Sequence, residues 1–129
     1  MKIDHIALWA KDIEKMKGFY VKYFNGVAGD KYINPKKQFE SYFITYKSGS
    51  RLEIMSKTAI KEFDRVDIEE YYGYAHLAFS FGSKDKVNSL TARLKEDGYQ
   101  VVGEPRITGD GYYESCVLDP EGNRVEIIE

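Results

Sequence analysis

Cysteine, tryptophan and histidine are scarce in this chain, and long apolar runs are absent. Among 129 residues there are one cysteine, one tryptophan and two histidines. The single cysteine, Cys116, excludes an intrachain disulfide, and the opening residues 1–4 lack a charged-then-apolar leader, so a reducing, cytoplasmic setting is expected. Because no apolar run approaches the roughly 20 residues of a membrane helix, no membrane partner is expected either.

An excess of charge of either sign is also missing. The formal net charge is −2, and acidic and basic residues alternate along the chain. Nucleic acids and anionic surfaces are recognised by clustered positive charge, so this balance excludes them as the main partner. Hydrophobic residues make up 43% of the chain, which is typical of a globular protein, and the length predicts one domain over residues 1–129.

The clearest feature that is present is an internal repeat. Residues 5–8 (His-Ile-Ala-Leu) correspond to residues 76–79 (His-Leu-Ala-Phe), and residues 49–54 (Gly-Ser-Arg-Leu-Glu-Ile) correspond to residues 122–127 (Gly-Asn-Arg-Val-Glu-Ile). The order is the same in both halves, and the offset is nearly constant, 71 positions at the His and 73 at the Glu. A repeat of this kind indicates that the fold contains two copies of one structural unit, so it is identified before individual helices and strands are assigned.

Each half is predicted to contain a strand, a helix and further strands. The repeats span about 1–56 and 75–129, and the connection 57–74 contains no clear strand, although a short helix near 61–71 is possible. Asp12 is a predicted N-cap, and Ser83 or Asp85 is predicted to cap the second helix. Apolar residues then recur at helical spacing: Ile13, Met16, Tyr20, Tyr23 and Phe24, and later Val87, Leu90 and Leu94. The fold class is therefore α+β, with two βαβββ modules of curved, mixed sheets.

Strand alternation predicts where four polar residues point. Side chains on a strand alternate between its faces, so a Glu that lies between two core residues faces away from the helix. This applies to Glu53 and Glu126. The same reasoning turns His5 and His76 away from the helices, and it predicts that Ile6, next to His5, points into the core. Two imidazoles and two carboxylates on concave faces suit a divalent ion, with Zn²⁺ or Ni²⁺ expected first and Mn²⁺, Co²⁺ or Fe²⁺ as alternatives.

With these four residues in a doubled βαβββ scheme, the whole chain resembles the vicinal-oxygen-chelate superfamily, and glyoxalase I most of all. The resemblance implies a homodimer whose metal site lies at the interface, with His5 and Glu53 from one chain and His76 and Glu126 from the other. It also implies a lactoylglutathione lyase-like reaction on an α-hydroxycarbonyl or hemithioacetal, in which a proton moves by way of a metal-bound enediolate. Glu126 is the expected proton carrier, and Glu53 is a ligand that shares the role.

The same resemblance leaves two other functions open. One is a small-molecule-binding or resistance protein of the same fold, and the other is an Fe²⁺-dependent dioxygenase, which Glu53 as a fourth ligand disfavours. Glyoxalase I enzymes typically carry Arg and Asn four residues after the first two ligands, where this chain has Trp9 and Lys57. The resemblance therefore does not extend to glutathione as the carrier thiol, and Trp9 and Lys57 are candidate contacts for a different substrate.

Three further residues have alternative interpretations. Arg51 and Arg124 stand two residues before each Glu. They bind a carboxylate or phosphate of the substrate, pair with the glutamates, or are exposed strand residues at the rim. Cys116 is predicted to be a small core residue without a basic partner, because its neighbours Val117 and Leu118 are apolar.

Overall fold

A computed structural model of the chain describes residues 3–62, 70 and 72–129. The chain divides into two compact units, Met1–Phe63 and Asp64–Glu129. The possible short helix near 61–71 falls largely outside the described residues. Within the described part of the chain, no helix has the length and apolar character needed to cross a membrane.

The first unit is a five-stranded mixed sheet with one helix. Its elements are β1 (His5–Trp9), α1 (Ile13–Phe24), β2 (Val27–Ala28), β3 (Tyr32–Asn34), a 3₁₀ turn (Pro35–Lys37), β4 (Phe39–Thr45) and β5 (Arg51–Lys57). The strand order is β1-β5-β4-β2, and β3 also pairs with β4. Strands β1 and β5 are parallel, and the other pairs are antiparallel.

The second unit repeats this arrangement with four strands. Its elements are β6 (His76–Ser80), α2 (Lys84–Glu96), β7 (Val101–Ile107), β8 (Tyr113–Leu118) and β9 (Arg124–Ile128). The strand order is β6-β9-β8-β7, with β6 and β9 parallel. In both units the first strand therefore pairs with the last. The predicted α+β fold of two βαβββ modules is confirmed, and the first unit carries the three-residue strand β3 in addition.

Both helices begin and end at residues that satisfy their free backbone groups. The Asp12 carboxylate accepts a hydrogen bond from the backbone N–H of Lys15, and the Ser83 hydroxyl accepts one from that of Lys86. Helix α1 ends at Asn25, whose φ of 55° is left-handed. The five predicted apolar residues of α1 are all buried, as are Val87 and Leu94 of α2. Burial of each such side chain stabilises the fold by about 1.5–3 kcal/mol.

The turn between β8 and β9 sets the register of the last strand. The buried carboxylate of Asp119 accepts hydrogen bonds from the backbone N–H groups of Glu121 and Asn123, at 3.0 and 2.9 Å. Because Asp119 closes the turn in this way, Cys116 lies directly opposite Glu126 across the hairpin. The turn thus decides which β8 side chains share a face with Glu126.

One side chain of strand β1 is more exposed than strand alternation predicts. Ile6 was expected to point into the core, but its side chain is 40% exposed within the described structure. The reason is that β1 is the edge strand of its sheet, while α1 packs on β4 and β5. The core of the first unit consequently forms around Leu52 and Ile54 of the neighbouring strand, both of which are buried.

Candidate functional site

The first unit brings His5 and Glu53 together on one face of its sheet. In the parallel ladder His5 lies opposite Arg51 and Ala7 lies opposite Glu53, so all four residues share a face. The Nε2 atom of His5 is 3.8 Å from Oε2 of Glu53. The Glu53 side chain is only 15% exposed, because Phe43 lies opposite it on β4.

The second unit builds the same pair from His76 and Glu126. Their strands are again parallel, with Ala78 opposite Glu126, and His76 Nε2 is 3.2 Å from Glu126 Oε2. The Glu126 side chain is 17% exposed. Burial raises the pKa of Glu126 above its ordinary value, and the nearby His76 opposes part of that rise. The environment therefore makes Glu126 a better proton acceptor than a carboxylate in water.

The spacing within each pair fits two ligands of one divalent ion. Donor atoms bound at about 2.1 Å in tetrahedral or octahedral geometry lie about 3.0–3.4 Å from each other. The 3.2 Å pair meets this value, and the 3.8 Å pair needs only a small side-chain adjustment. Among residues 3–62, 70 and 72–129, no cluster of three or more His, Cys, Asp or Glu is arranged to hold a metal. Each unit on its own thus supplies a pair of donors, which is half of the predicted quartet.

Asp4 and Arg51 surround the other nitrogen of His5. The Nδ1 atom of His5 is 2.8 Å from Oδ2 of Asp4, and the Arg51 guanidinium donates to the same oxygen. These contacts lower the pKa of Asp4, the hydrogen bond with His5 contributing most. The guanidinium carbon of Arg51 also lies 4.5 Å from the centre of the Phe43 ring. Arg51 thus pairs with Asp4, whereas a pair with the glutamate was among the expectations from the sequence.

Cys116 and Glu114 share the face of Glu126, which corrects the expectation for Cys116. The cysteine is buried, as predicted, but it lies opposite Glu126 and close to the basic Arg124. Burial raises the pKa of the thiol, and Arg124 only partly counteracts this effect. Glu114 is 3.6 Å from Arg106 and contributes to the raised pKa of Glu126. Glu126 therefore lies in a partly buried acidic environment.

Trp9 and Lys57 both lie at one end of the face that carries Glu53. The Trp9 indole is 44% exposed and meets the ring of Phe39 edge-on, with centroids 6.1 Å apart. Phe39 lies opposite Lys57 in the β4–β5 ladder. Phe39 and Lys57 line a cavity of about 300 Å³ together with residues of the β3–β4 connection. Within the first unit, an apolar wall and an ammonium group thus share the sheet face of the His5–Glu53 pair, four residues and about 13 Å further along the strands.

Sequence reasoning missed Asp4, Glu114 and the orientation of Cys116. A signal existed for each of them. Asp4 directly precedes a candidate ligand, and the β8 residues follow from the register that the Asp119 turn imposes. Their proximity to the His–Glu pairs can be recognised only when the strand that pairs with each candidate ligand is identified.

The chain is similar in sequence to one protein superfamily and to an uncharacterized protein. A sequence model of the glyoxalase/bleomycin resistance protein/dioxygenase superfamily matches residues 2–127. The uncharacterized protein YqjT of Bacillus subtilis (strain 168) is 29% identical over 131 aligned positions, which cover 96% of this chain and 95% of YqjT.

Solved structures of the same fold include three that represent its range. A glyoxylase/bleomycin resistance protein/dioxygenase domain from Frankia sp. EAN1pec superposes with a TM-score of 0.81 at 13% identity, covering 99% of this chain and 96% of that one. The trypanothione-dependent glyoxalase I of Leishmania major gives 0.78 at 18% identity, covering 100% and 86%. A variant of glyoxalase I from Zea mays gives 0.79 at 19% identity, and the chain spans only 44% of its length while 98% of the chain is covered. At these identities the likeness concerns the fold.

Proposed function

The chain belongs to the glyoxalase/bleomycin resistance protein/dioxygenase superfamily, and on that premise we propose that it is a metal-dependent, glyoxalase I-like lyase or isomerase. Its substrate is an α-hydroxycarbonyl or hemithioacetal, and its setting is the cytoplasm. The observation that carries the proposal is the pair of equivalent His–Glu contacts, 3.8 Å in one unit and 3.2 Å in the other. Paired imidazole and carboxylate donors are the ligands that Zn²⁺ and Ni²⁺ prefer.

In the proposed site His5, Glu53, His76 and Glu126 hold one divalent ion. By resemblance to glyoxalase I, the first two come from one chain of a homodimer and the last two from its partner. When bound, the ion would polarise the two adjacent oxygens of the substrate and stabilise negative charge on them. Each carboxylate would also offset the charge of the ion, which removes the cost of keeping it partly buried.

Glu126 is the proposed proton carrier of the reaction. Its raised pKa favours acceptance of the proton from the carbon next to the carbonyl, and the same carboxyl then returns a proton to the neighbouring carbon. Glu53 is a ligand that shares this role. Trp9 would form an apolar wall for the substrate, and Lys57 would attract an acidic group at its far end. Arg124, beside Cys116, is a candidate contact for a substrate oxygen.

A second function is favoured by the aromatic residues of the first unit. Trp9, Phe39 and Tyr32 form a continuous row of ring contacts, each with centroids 6.1 Å apart. Such a row suits an aromatic ligand whether or not a metal is present. A binding protein of this kind would still be stabilised by its ligand after all metal had been removed. The proposed enzyme would lose its activity under the same condition, because it depends on the metal.

The proposal is tested by calorimetric titration of the chelator-stripped protein with Ni²⁺, Zn²⁺ and Mn²⁺. We expect tight binding near one ion per chain, because four donors together make one site. His5→Ala removes one donor and should weaken binding at least tenfold. Glu104→Gln serves as a control, because Glu104 is an exposed residue on β7 that pairs with Lys95. Absence of binding, or binding that His5→Ala leaves unchanged, would contradict the metal site and favour the binding protein.

A further inference from the structure

The two His–Glu pairs differ in what lies behind the histidine. His5 has a carboxylate at its second nitrogen, since Oδ2 of Asp4 is 2.8 Å from Nδ1. In the second unit Ala75 stands in the place of Asp4, immediately before His76. A methyl group accepts no hydrogen bond, so Ala75 cannot act on His76 as Asp4 acts on His5. The two units therefore have equivalent His–Glu pairs, but they differ in the residue that precedes the histidine, which is an aspartate in the first unit and an alanine in the second.

Asp4 is itself held in place from two directions. The Arg51 guanidinium donates to the carboxylate oxygen that His5 contacts, and the backbone N–H of Arg51 donates to the carbonyl of Asp4 at 3.3 Å. Arg51 in turn lies over the Phe43 ring, and the His5 ring meets the same ring edge-on at 5.3 Å. Phe43 thus fixes both partners of Asp4, and the carboxylate is aligned with Nδ1 even though its side chain is 56% exposed.

We propose that Asp4 is a positioning residue that holds the proton of neutral His5 on Nδ1 and so leaves the lone pair of Nε2 available to a metal ion that Glu53 also binds. An ionised carboxylate only accepts hydrogen bonds, so a nitrogen within hydrogen-bond distance of it carries the hydrogen. Asp4 is within that distance of Nδ1, at 2.8 Å, whereas Glu53 is too far from Nε2 to hold the hydrogen there. The other nitrogen, 3.8 Å from Glu53 Oε2, is then free to act as a ligand. This tautomer is set before any metal binds, and Arg51 contributes by restraining Asp4. As a role in metal binding, the inference rests on the proposed function.

The chain is well suited to a direct test because it has only two histidines. Long-range ¹H–¹⁵N correlation spectra of the metal-free protein, recorded above neutral pH, report which nitrogen of each ring carries the proton, and His5→Ala assigns the two rings. We expect His5 in the Nδ1–H form in the unmodified chain and a loss of that preference in Asp4→Ala. Asp4→Asn keeps an acceptor oxygen and should restore the preference in part.

The reciprocal variant provides a matched control. Ala75→Asp places a carboxylate before His76. We expect this substitution to shift the His76 ring towards the Nδ1–H form, and the spectrum should report that change while the His5 signals stay unchanged. Zn²⁺ titration is the second measurement, for which we expect Asp4→Ala to weaken binding by about 10- to 100-fold, the usual effect of removing such a partner. Unchanged backbone amide spectra would show that the variants remain folded.

The outcomes separate the inference from the proposed function. An unchanged His5 tautomer in Asp4→Ala overturns the inference, whatever Zn²⁺ does. A tautomer change without any Zn²⁺ binding by the unmodified chain supports the role of Asp4 on His5 and contradicts the proposed metal site. A tautomer change together with weakened Zn²⁺ binding supports both.

Discussion

Glu53 and Glu126 occupy equivalent positions in the repeat but have different surroundings. Glu53 faces the Phe43 ring across its ladder, whereas Glu126 faces Cys116 and lies near Glu114. Burial and the nearby carboxylate both raise the pKa of Glu126. A residue that must take up a proton and release it again works best when its pKa is close to the working pH. The surroundings of Glu126 therefore suit the role of proton carrier that is proposed for it.

This difference predicts the effect of Glu126→Gln. The amide oxygen still reaches the metal, but it cannot take up a proton, so turnover of a hemithioacetal should fall by about 10²–10⁴-fold while the fold is kept. Initial rates with the metal-loaded protein and a circular dichroism spectrum are the measurements. Glu104→Gln should retain full activity. A fully active Glu126→Gln would show that the proton is carried elsewhere, with Glu53→Gln the next variant to assay.

The four donor residues could be predicted from sequence because strand alternation alone determines their face. Glu53 lies between the buried residues Leu52 and Ile54, and the structure brings it onto one face with His5 as expected. The supporting residues could not be predicted in this way. Asp4 is restrained by Arg51, which is 47 positions away along the chain, and that contact depends on the parallel pairing of β1 and β5.

At the scale of elements, the sequence predicted long elements and missed short ones. Helix α1 has a cap, an apolar stripe and a left-handed end residue, each of which is a local signal. Strands β2 and β3 have only two and three residues, and their pairing with β4 is the main cause of their extended conformation. The exposure of Ile6 was likewise decided by the position of β1 at the sheet edge.

One polar cluster links α1 to its sheet. The Glu14 carboxylate accepts a hydrogen bond from the Tyr42 hydroxyl at 2.9 Å and pairs with Lys17 and with Lys31. Lys17, then Tyr42 and Lys31, lower the pKa of Glu14 from 4.5 to about 2. The helix is thus attached to β4 through a carboxylate that stays ionised in moderate acid.

The lowered pKa predicts how stability depends on pH. The folded chain binds the Glu14 proton less readily than the unfolded chain, so the stabilisation is present above about pH 4.5 and is lost as the pH falls towards about 2. Glu14→Gln should lower the free energy of unfolding at neutral pH by less than about 1 kcal/mol, because the pairs are exposed to solvent. Urea unfolding of both proteins across this pH range measures the difference, which should shrink in acid.

Tyr42→Phe is the matched control for this cluster. It removes the hydrogen bonds of the Tyr42 hydroxyl with Glu14 and Lys17 and leaves both lysine pairs of Glu14, so its effect should have the same sign and a smaller size. A difference between Glu14→Gln and the unmodified chain that stays constant with pH would contradict the assignment, because it would arise from packing and not from charge.

At the scale of the whole molecule, the repeat gives each unit one incomplete site. A His–Glu pair is two ligands, whereas tightly bound zinc and nickel need more donors than two. The homodimer proposed above would answer this need, because it would join the first pair of one chain to the second pair of another. It would also account for two copies of the same motif in one chain.

The interchain arrangement predicts that two defective variants complement each other. His5→Ala damages only the first pair, and His76→Ala damages only the second. In a mixed dimer, the second pair of the His5→Ala chain and the first pair of the His76→Ala chain would form one complete site, while the other site would lack both histidines. With random exchange of subunits at equal concentrations, roughly a quarter of all sites would be complete.

Metal content per chain and turnover of the mixture are the measurements, taken after the two variants have been unfolded, mixed and refolded together. Each variant refolded alone should bind little Zn²⁺, and the mixture should recover about a quarter of the capacity of the unmodified protein. If both pairs of a site came from one chain, every site would lack one histidine and mixing would restore nothing. Recovery of Zn²⁺ binding therefore requires a site shared between chains. If the mixture formed dimers of normal size but recovered no Zn²⁺ binding, all four ligands of a site would belong to one chain.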